Sequence, residues 1–337
     1  MAGYDPKVTP WMVGEAEVRD GGTPTERLTA LVRYAILAPS SHNTQPWKFT
    51  VGADTVDLLV DTERWLRVAD AEQRELYLSA GCALENLLIA SAHFGYDAEV
   101  ALLPEPARPE LAARVRLTPS ASPATAPVEA WFAAIPLRCT NHQVYDGRPV
   151  FAGALQRLRA CGIAPEITIF LTSDPEIKRR ADDLVVRADA LQFADPSFRE
   201  ELGYWIGQGV FGSPWLMAKL GQLAVTYVNI GKSQAKKDSE LLLSAPVLGM
   251  ITARRADRVT QVQAGQVFER VYLEATALGL SLQPVSQILQ VPELQSEVRS
   301  LLPDPTFVPL QPFRLGYAVP EAEHTPRRPL EEMLVTE

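Results

Sequence analysis

Apolar residues recur along the chain with two different periods, and the switches between them mark its elements. After an irregular leader over residues 1–24, Leu28, Leu31, Val32 and Ala35 stand at i, i+3, i+4 and i+7, the spacing of one helix face. Thr23-Pro24-Thr25-Glu26 supplies that helix with a cap, a proline at its first position and a glutamate three residues after the cap. Residues 47–51 and 56–61 then read as two strands around Gly52-Ala53-Asp54. A longer helix is predicted over 74–94, with Gly95 as its stop. Strands are predicted at 99–103 and 114–117, followed by a proline-rich linker over 118–127. Helices at 128–134 and 152–161, a strand at 166–172 and polar helices at 175–191 and 197–206 come next. A buried strand at 246–253, a helix at 259–278 stopped by Gly279, and a last strand pair within 306–318 complete the pattern. Strands alternating with helices place the chain in the α/β or α+β class.

Composition narrows the function classes. The 337 residues are 47% hydrophobic and 22% charged, ordinary for a soluble globular protein. A net charge of −9 and a pI near 5.2 argue against a nucleic-acid footprint or an anionic-membrane surface. A bound phosphate therefore needs a local basic cluster. Cys82, Cys139 and Cys161 are far apart, and His42, His93, His142 and His324 show no ligand spacing, so neither disulfides nor a metal site is expected. No apolar run is long enough to span a membrane, and the N-terminus lacks a signal-peptide pattern. The expected location is the cytoplasm.

The densest chemistry lies in Ala38-Pro39-Ser40-Ser41-His42-Asn43-Thr44-Gln45-Pro46-Trp47. Two prolines fix the backbone at its ends, and hydroxyls, an imidazole and amides crowd between them. The stretch is either a rigid loop built to hydrogen-bond a polar heterocycle or a well-capped helix-to-strand turn. It resembles the signature loop of the nitroreductase family, flavin enzymes that bind FMN at a dimer interface.

A weak internal repeat adds to that resemblance. Ala80-Gly81, Glu85 and Gly95 recur as Ala264-Gly265, Glu269 and Gly279; the glycine pairs 81/265 and 279/95 share an offset of 184 residues. Two unrelated helices could share such a packing pattern, but the motif also resembles the central helix of nitroreductase subunits. The halves differ usefully. The first keeps the A-P-S-S-H-N loop; the second keeps Arg138-Cys139-Thr140-Asn141-His142, similar to the family's phosphate motif, with His142 where Arg or Lys is usual. The resemblance is closest to the Acg-like tandem branch. It implies an α+β, nitroreductase-like fold of two fused halves (25–135 and 136–337), forming a pseudo-dimer around central sheets flanked by helices. A mobile apolar lid is expected around 195–236. Gly207-Gln208-Gly209-Val210-Phe211-Gly212 matches G-x-G-x-x-G but follows a helical segment, so it is set aside as a nucleotide loop.

The resemblance further implies FMN contacts from Pro39, Ser40, Ser41, His42 and Asn43, a phosphate grip from Arg138, Thr140 and His142, and a basic residue from Arg327 or Arg328 near the C-terminus. It places a backbone amide of the Pro284, Val285, Ser286 loop beside flavin N5. Asn43 is expected to face the flavin and to be dispensable for folding. NADH or NADPH is the implied reductant, and a nitroaromatic or quinone-like small molecule the acceptor. The alternative is an FMN-storage or sequestering protein with its site closed by the lid. One chain would supply one site, leaving room for a further homodimer.

Overall fold

The two repeated helices cross at the centre of the molecule. In the computed structural model, which describes residues 5–20, 22–321 and 323–335, the chain begins with α1 (Ala16–Arg19) and α2 (Pro24–Ala35). Then come β1 (Trp47–Val51), β2 (Thr55–Val60), α3 (Arg74–His93), β3 (Tyr96–Leu102), β4 (Leu111–Pro119) and α4 (Ala126–Ala134). It continues through α5 (Ala152–Arg159), β5 (Ile167–Thr172), α6 (Pro175–Ala194), α7 (Pro196–Gly207), α8 (Trp215–Tyr227) and α9 (Gly231–Ser244). It ends with β6 (Val247–Ala253), α10 (Arg258–Ala277), β7 (Ser281–Pro284), α11 (Gln287–Gln290), α12 (Gln295–Arg299) and β8 (Val308–Gly316).

Local chemistry sets the helix ends. Thr23 and Glu26 form a reciprocal capping box on α2. Gly95 and Gly279 follow α3 and α10 with φ of 78° and 69°, a left-handed conformation that favours glycine. Four strands form each sheet, in the orders β1-β2-β4-β3 and β5-β6-β8-β7, and every pairing is antiparallel. Each sheet thus has the same topology, each has its long helix between its second and third strands, and each has a register shift between its second and fourth, at Leu58/Leu59 and Ile251/Thr252. One hydrophobic core joins both sheets to both helices through Trp47, Phe49, Leu84, Val267, Val271 and Phe313.

The crossing of α3 and α10 is reciprocal. A Cβ on Gly81 would overlap the Val262 carbonyl, and a Cβ on Gly265 would overlap that of Leu78. The two backbones therefore touch where each helix lacks a side chain. The C-terminal segment then returns to the first sheet: the Phe49 amide donates to the Met333 carbonyl at 2.7 Å and the Val335 amide to the Phe49 carbonyl at 2.9 Å.

Two expectations are revised, and a third region gains detail. The leader is not irregular over its described part: Thr9–Trp11 forms a 3-10 turn, α1 follows, and Trp11 and Val18 are buried. The indole of Trp11 stacks on His324 with centroids 3.9 Å apart, a long-range contact without local periodicity. The last strand pair is a single strand, β8; its partner β7 lies upstream in a segment too short to show alternation. The region expected to be a lid, around 195–236, is built of helices α7 and α8 and the start of α9, and residues of α7 and α8 line the cavity. Leu216, Leu220, Leu223 and Tyr227 of α8 are exposed, so its apolar stripe faces solvent rather than the core.

Gly81→Ala should destabilise the protein by about 1–3 kcal/mol, because the added methyl meets backbone that cannot rotate away. Gly162, where a Cβ would meet nothing within 4 Å, provides the control: Gly162→Ala should stay within about 0.5 kcal/mol of the parent in urea unfolding.

Candidate functional site

The loop after α2 is held in a strained form by long-range contacts. His42, Asn43 and Gln45 have φ of 49°, 52° and 52°, three of the five non-glycine residues with positive φ among the described residues. Such conformations persist only where the surroundings over-determine them. Ser40 Oγ accepts from the Gln45 amide at 2.9 Å, and the Ser41 hydroxyl donates to the Glu75 carboxylate. Arg327, fully buried, donates to the carbonyls of Ile36, Leu37 and Ala38 at 2.9–3.0 Å and to Asn43 Oδ1 at 2.9 Å. It thereby satisfies the carbonyls left open where α2 ends. Asn43 Nδ2 donates to the carbonyls of Val210 (2.7 Å) and Pro326 (2.9 Å), tying the α7–α8 connection and the C-terminal segment to the loop.

This loop forms one wall of a cavity of about 630 Å³, a size suited to a small molecule or cofactor. Pro39, Ser40, Ser41, His42, Asn43, Arg138, Thr140, His142, Pro284, Val285, Ser286 and Arg327 all line it, so residues far apart in sequence meet there. Arg328 does not. Its guanidinium turns to Glu332 at 3.3 Å and to the Gln45 carbonyl at 3.4 Å, while its backbone amide donates to Gln45 Oε1 at 2.8 Å. As one of the two C-terminal basic candidates it is therefore placed outside the cavity. Arg327 lies in the wall, but its guanidinium holds the loop.

Arg138 differs from Arg327 in what it leaves open. It is buried on the cavity wall, with Nη2 donating to the Leu37 carbonyl at 3.2 Å and its guanidinium 4.9 Å from the Tyr272 ring centre. Its Nε and Nη1 make no hydrogen bond among the described residues. The nearest carboxylate, Glu269, is 3.9 Å away, and burial pushes that carboxyl up to about 7 against the pull of Arg138. The cation is thus incompletely neutralised within the described residues. His142 accompanies it as a neutral group: burial lowers its pKa, and Nδ1 lies 2.9 Å from Gln283 Nε2. The Thr140 and Tyr272 hydroxyls are 2.9 Å apart.

The cavity also contains groups that the sequence did not flag. Glu75, at the start of α3, accepts from Ser41, Arg74 and Gln290. Arg314 of β8 is buried on Tyr145 and donates to the Leu241, Asn141 and Gln143 carbonyls at 2.8–3.1 Å. Asp189 of α6 and Asp238 of α9 face each other on the far wall. None belongs to a short motif; a charged residue inside the apolar run of β8 was the one available signal. The α7–α8 pair closes over the cavity from the C-terminal part of the chain. Glu201 accepts the Val68 and Ala69 amides at 3.0 and 2.9 Å, and Trp205, Val210 and Phe198 pack on Leu66 and Ala69. The Gly207–Gly212 segment follows helix α7, not a strand, and does not form a phosphate loop.

Two glycine-touching central helices, paired antiparallel sheets of one topology and a cavity built between them define a class. The fold is the nitroreductase-type α+β fold. Among solved structures, "a putative nitroreductase" from Anabaena variabilis ATCC 29413 aligns with a TM-score of 0.50 at 12% identity, covering 84% of this chain and 82% of that one. No family model matches the chain. "Putative NAD(P)H nitroreductase Rv3131" of Mycobacterium tuberculosis (strain ATCC 25618 / H37Rv) is 28% identical over 315 residues, 91% of this chain and 90% of that protein. "Putative NAD(P)H nitroreductase acg" of the same strain is 27% identical over 323 residues, 92% and 95% of the two. Over nine-tenths of its length the chain is therefore similar to proteins named as NAD(P)H nitroreductases, acg among them.

The contacts of Asn43 reverse the expectation that its side chain is dispensable for folding. Asn43→Ala leaves the Val210 and Pro326 carbonyls and one Arg327 donor without this partner. It should cost about 1–3 kcal/mol in the ligand-free protein, seen as a lower thermal midpoint and faster proteolysis in the α7–α8 segment.

Proposed function

We propose that this protein is an FMN-dependent oxidoreductase that takes electrons from NADH or NADPH and delivers them to a small nitroaromatic or quinone-like acceptor. The observation that carries the reading is Arg138: a buried cation on the cavity wall, with two guanidinium nitrogens making no hydrogen bond among the described residues. A phosphate is the anion that best suits such a fork. The full-length likeness to proteins named as nitroreductases supports the same assignment.

The residues present fit FMN. Arg138 and Thr140 hold the phosphate end, with neutral His142 contributing a hydrogen bond rather than a charge. The Pro39–Asn43 loop lines the same cavity, its shape fixed by Arg327 and Glu75 instead of by the ligand. The backbone of Ser286, at the start of α11, is the donor we assign to flavin N5. FMN, when bound, supplies the hydride chemistry; the chain orients it and shields it from water. One chain does the work that two subunits do elsewhere in the family, because the loop comes from its first half and Arg138 from its second.

Purified protein should be yellow, release about one FMN per chain, and bleach on anaerobic addition of NADPH or NADH. A ratio near two would overturn the single-site reading. A yellow protein inert to both nicotinamides would be a flavin carrier. Arg138→Ala should weaken FMN by about 1.5–3 kcal/mol, roughly tenfold to a hundredfold or more, and riboflavin much less. Equal weakening of both would place Arg138 away from the phosphate.

A further inference from the structure

Asp189 and Asp238 are an unusual pair for a cavity wall. Asp189 is buried and projects from α6; Asp238 projects from α9, which packs along α6. α6 and α9 bring both carboxyl groups to the same cavity, where each is in the other's electrostatic field, and Asp189 Oδ2 has no donor from another residue among the described residues. Two ionised carboxylates only accept and repel each other, so a buried pair of neighbouring carboxyls favours holding one proton between them. Burial, followed by the neighbouring carboxyl, pushes Asp189 upward, and burial pushes Asp238 the same way.

The surroundings keep that proton without replacing it. On α9, Gln234 Nε2 donates to both Asp238 oxygens at 3.0 Å. From α11, Gln287 Nε2 reaches Asp238 Oδ2 at 3.4 Å. The charged or titratable groups facing the pair are Lys237 on the same helix, His142 from the segment after α4, and Arg314 on β8. No ion pair closer than 4 Å joins either aspartate to a Lys, Arg or His among the described residues. Both aspartates line the cavity, and Gln287 directly follows Ser286. A purely structural contact between α6 and α9 would be made at lower cost by an amide and a carboxylate.

We propose that Asp189 and Asp238, sharing one proton on the cavity wall, are the acid that protonates an acceptor reduced in the cavity, and so favour acceptors whose two-electron reduction consumes a proton. The assignment rests on the oxidoreductase reading above. For a quinone, the hydride equivalent of NAD(P)H, the reductant of the proposed reaction, would convert the quinone to a hydroquinone monoanion. Its oxygen then forms an O–H bond as the carboxyl O–H of the pair breaks, leaving hydroquinone and two carboxylates. Water at the cavity mouth returns the proton.

The test uses FMN-loaded protein and its Asp238→Asn variant, with Asp189→Asn as the second variant if the first does not fold. With NADPH as donor, kcat for a benzoquinone should fall about tenfold or more relative to kcat for ferricyanide, which accepts an electron without a proton. The wild-type quinone rate should decline as the shared proton is lost at high pH, and that limb should vanish in the variant. Asp238→Glu, which restores an acid, should recover part of the ratio. Infrared titration should show a protonated carboxyl band at neutral pH in the wild type, reduced in Asp238→Asn. Equal slowing with both acceptors, or no such band, overturns the proposal. If the protein carries no reducible flavin, the oxidoreductase reading fails and the proton loses its destination; the infrared band separates that failure from a misassigned pair.

Discussion

The contact between the backbones of α3 and α10 is the constraint on which the rest of the structure depends. Gly81 and Gly265 remove the only side chains that could hold the helices apart, and each faces the backbone around its counterpart. Such a touching crossing allows one geometry, because interiors are packed too densely to absorb an extra methyl group. Each helix belongs to one sheet, so fixing the crossing fixes how the two sheets face each other. The cavity wall follows from that: Glu75, Leu78, Ser79 and Cys82 of α3 meet Phe268 of α10 beside it. Small residues at one turn of a helix thus set the dimensions of a site that begins at the next residue and runs along the adjoining turns.

A second layer of constraint ties the ends of the chain to the loop. Arg327 reaches from the C-terminal segment to the end of α2, and its own amide donates to the Pro6 carbonyl at 2.8 Å. Its guanidinium also lies 4.6 Å from the ring centre of Trp11. A buried guanidinium is costly unless its donors are met, and here they are met by carbonyls that a helix end would otherwise leave open. The strained loop at His42–Gln45 is therefore supported from outside, before any ligand arrives. That is preorganisation: the ordering cost is met in folding, so it need not be met in binding.

Arg138 and the aspartate pair show the other side of the same physics. Arg138 and Asp189 of that pair are buried polar groups with side-chain atoms that have no hydrogen-bond partner among the described residues, and both line the cavity. Arg327 and Arg314, equally buried, donate to several carbonyls each and serve the fold. The contrast in satisfaction, rather than in burial or charge, separates the groups that hold the wall from those to which a ligand role is proposed. The closure by α7 and α8 belongs to this balance, since Glu201 and Asn43 anchor it by hydrogen bonds at the cavity rim while the α8 stripe remains in solvent.

The sequence by itself determined the local elements and singled out many of the residues that line the cavity. The capped start of α2, the glycine stops after α3 and α10 and the continuous apolar run of β6 are short-range signals, and they appear in the fold where the pattern put them. The A-P-S-S-H-N loop and the Arg138–His142 motif were legible as chemistry because unusual residue types are adjacent in the chain. Only the tertiary structure decided what those residues do. Asn43 became a tie between segments and Arg327 a clamp, while Arg328 turned away from the cavity, because their partners are carbonyls far along the chain that carry no side-chain signature. Asp189 and Asp238, 49 positions apart on two polar helices, could not be paired from the pattern. A helix shows its face in its sequence but not which neighbour that face will meet.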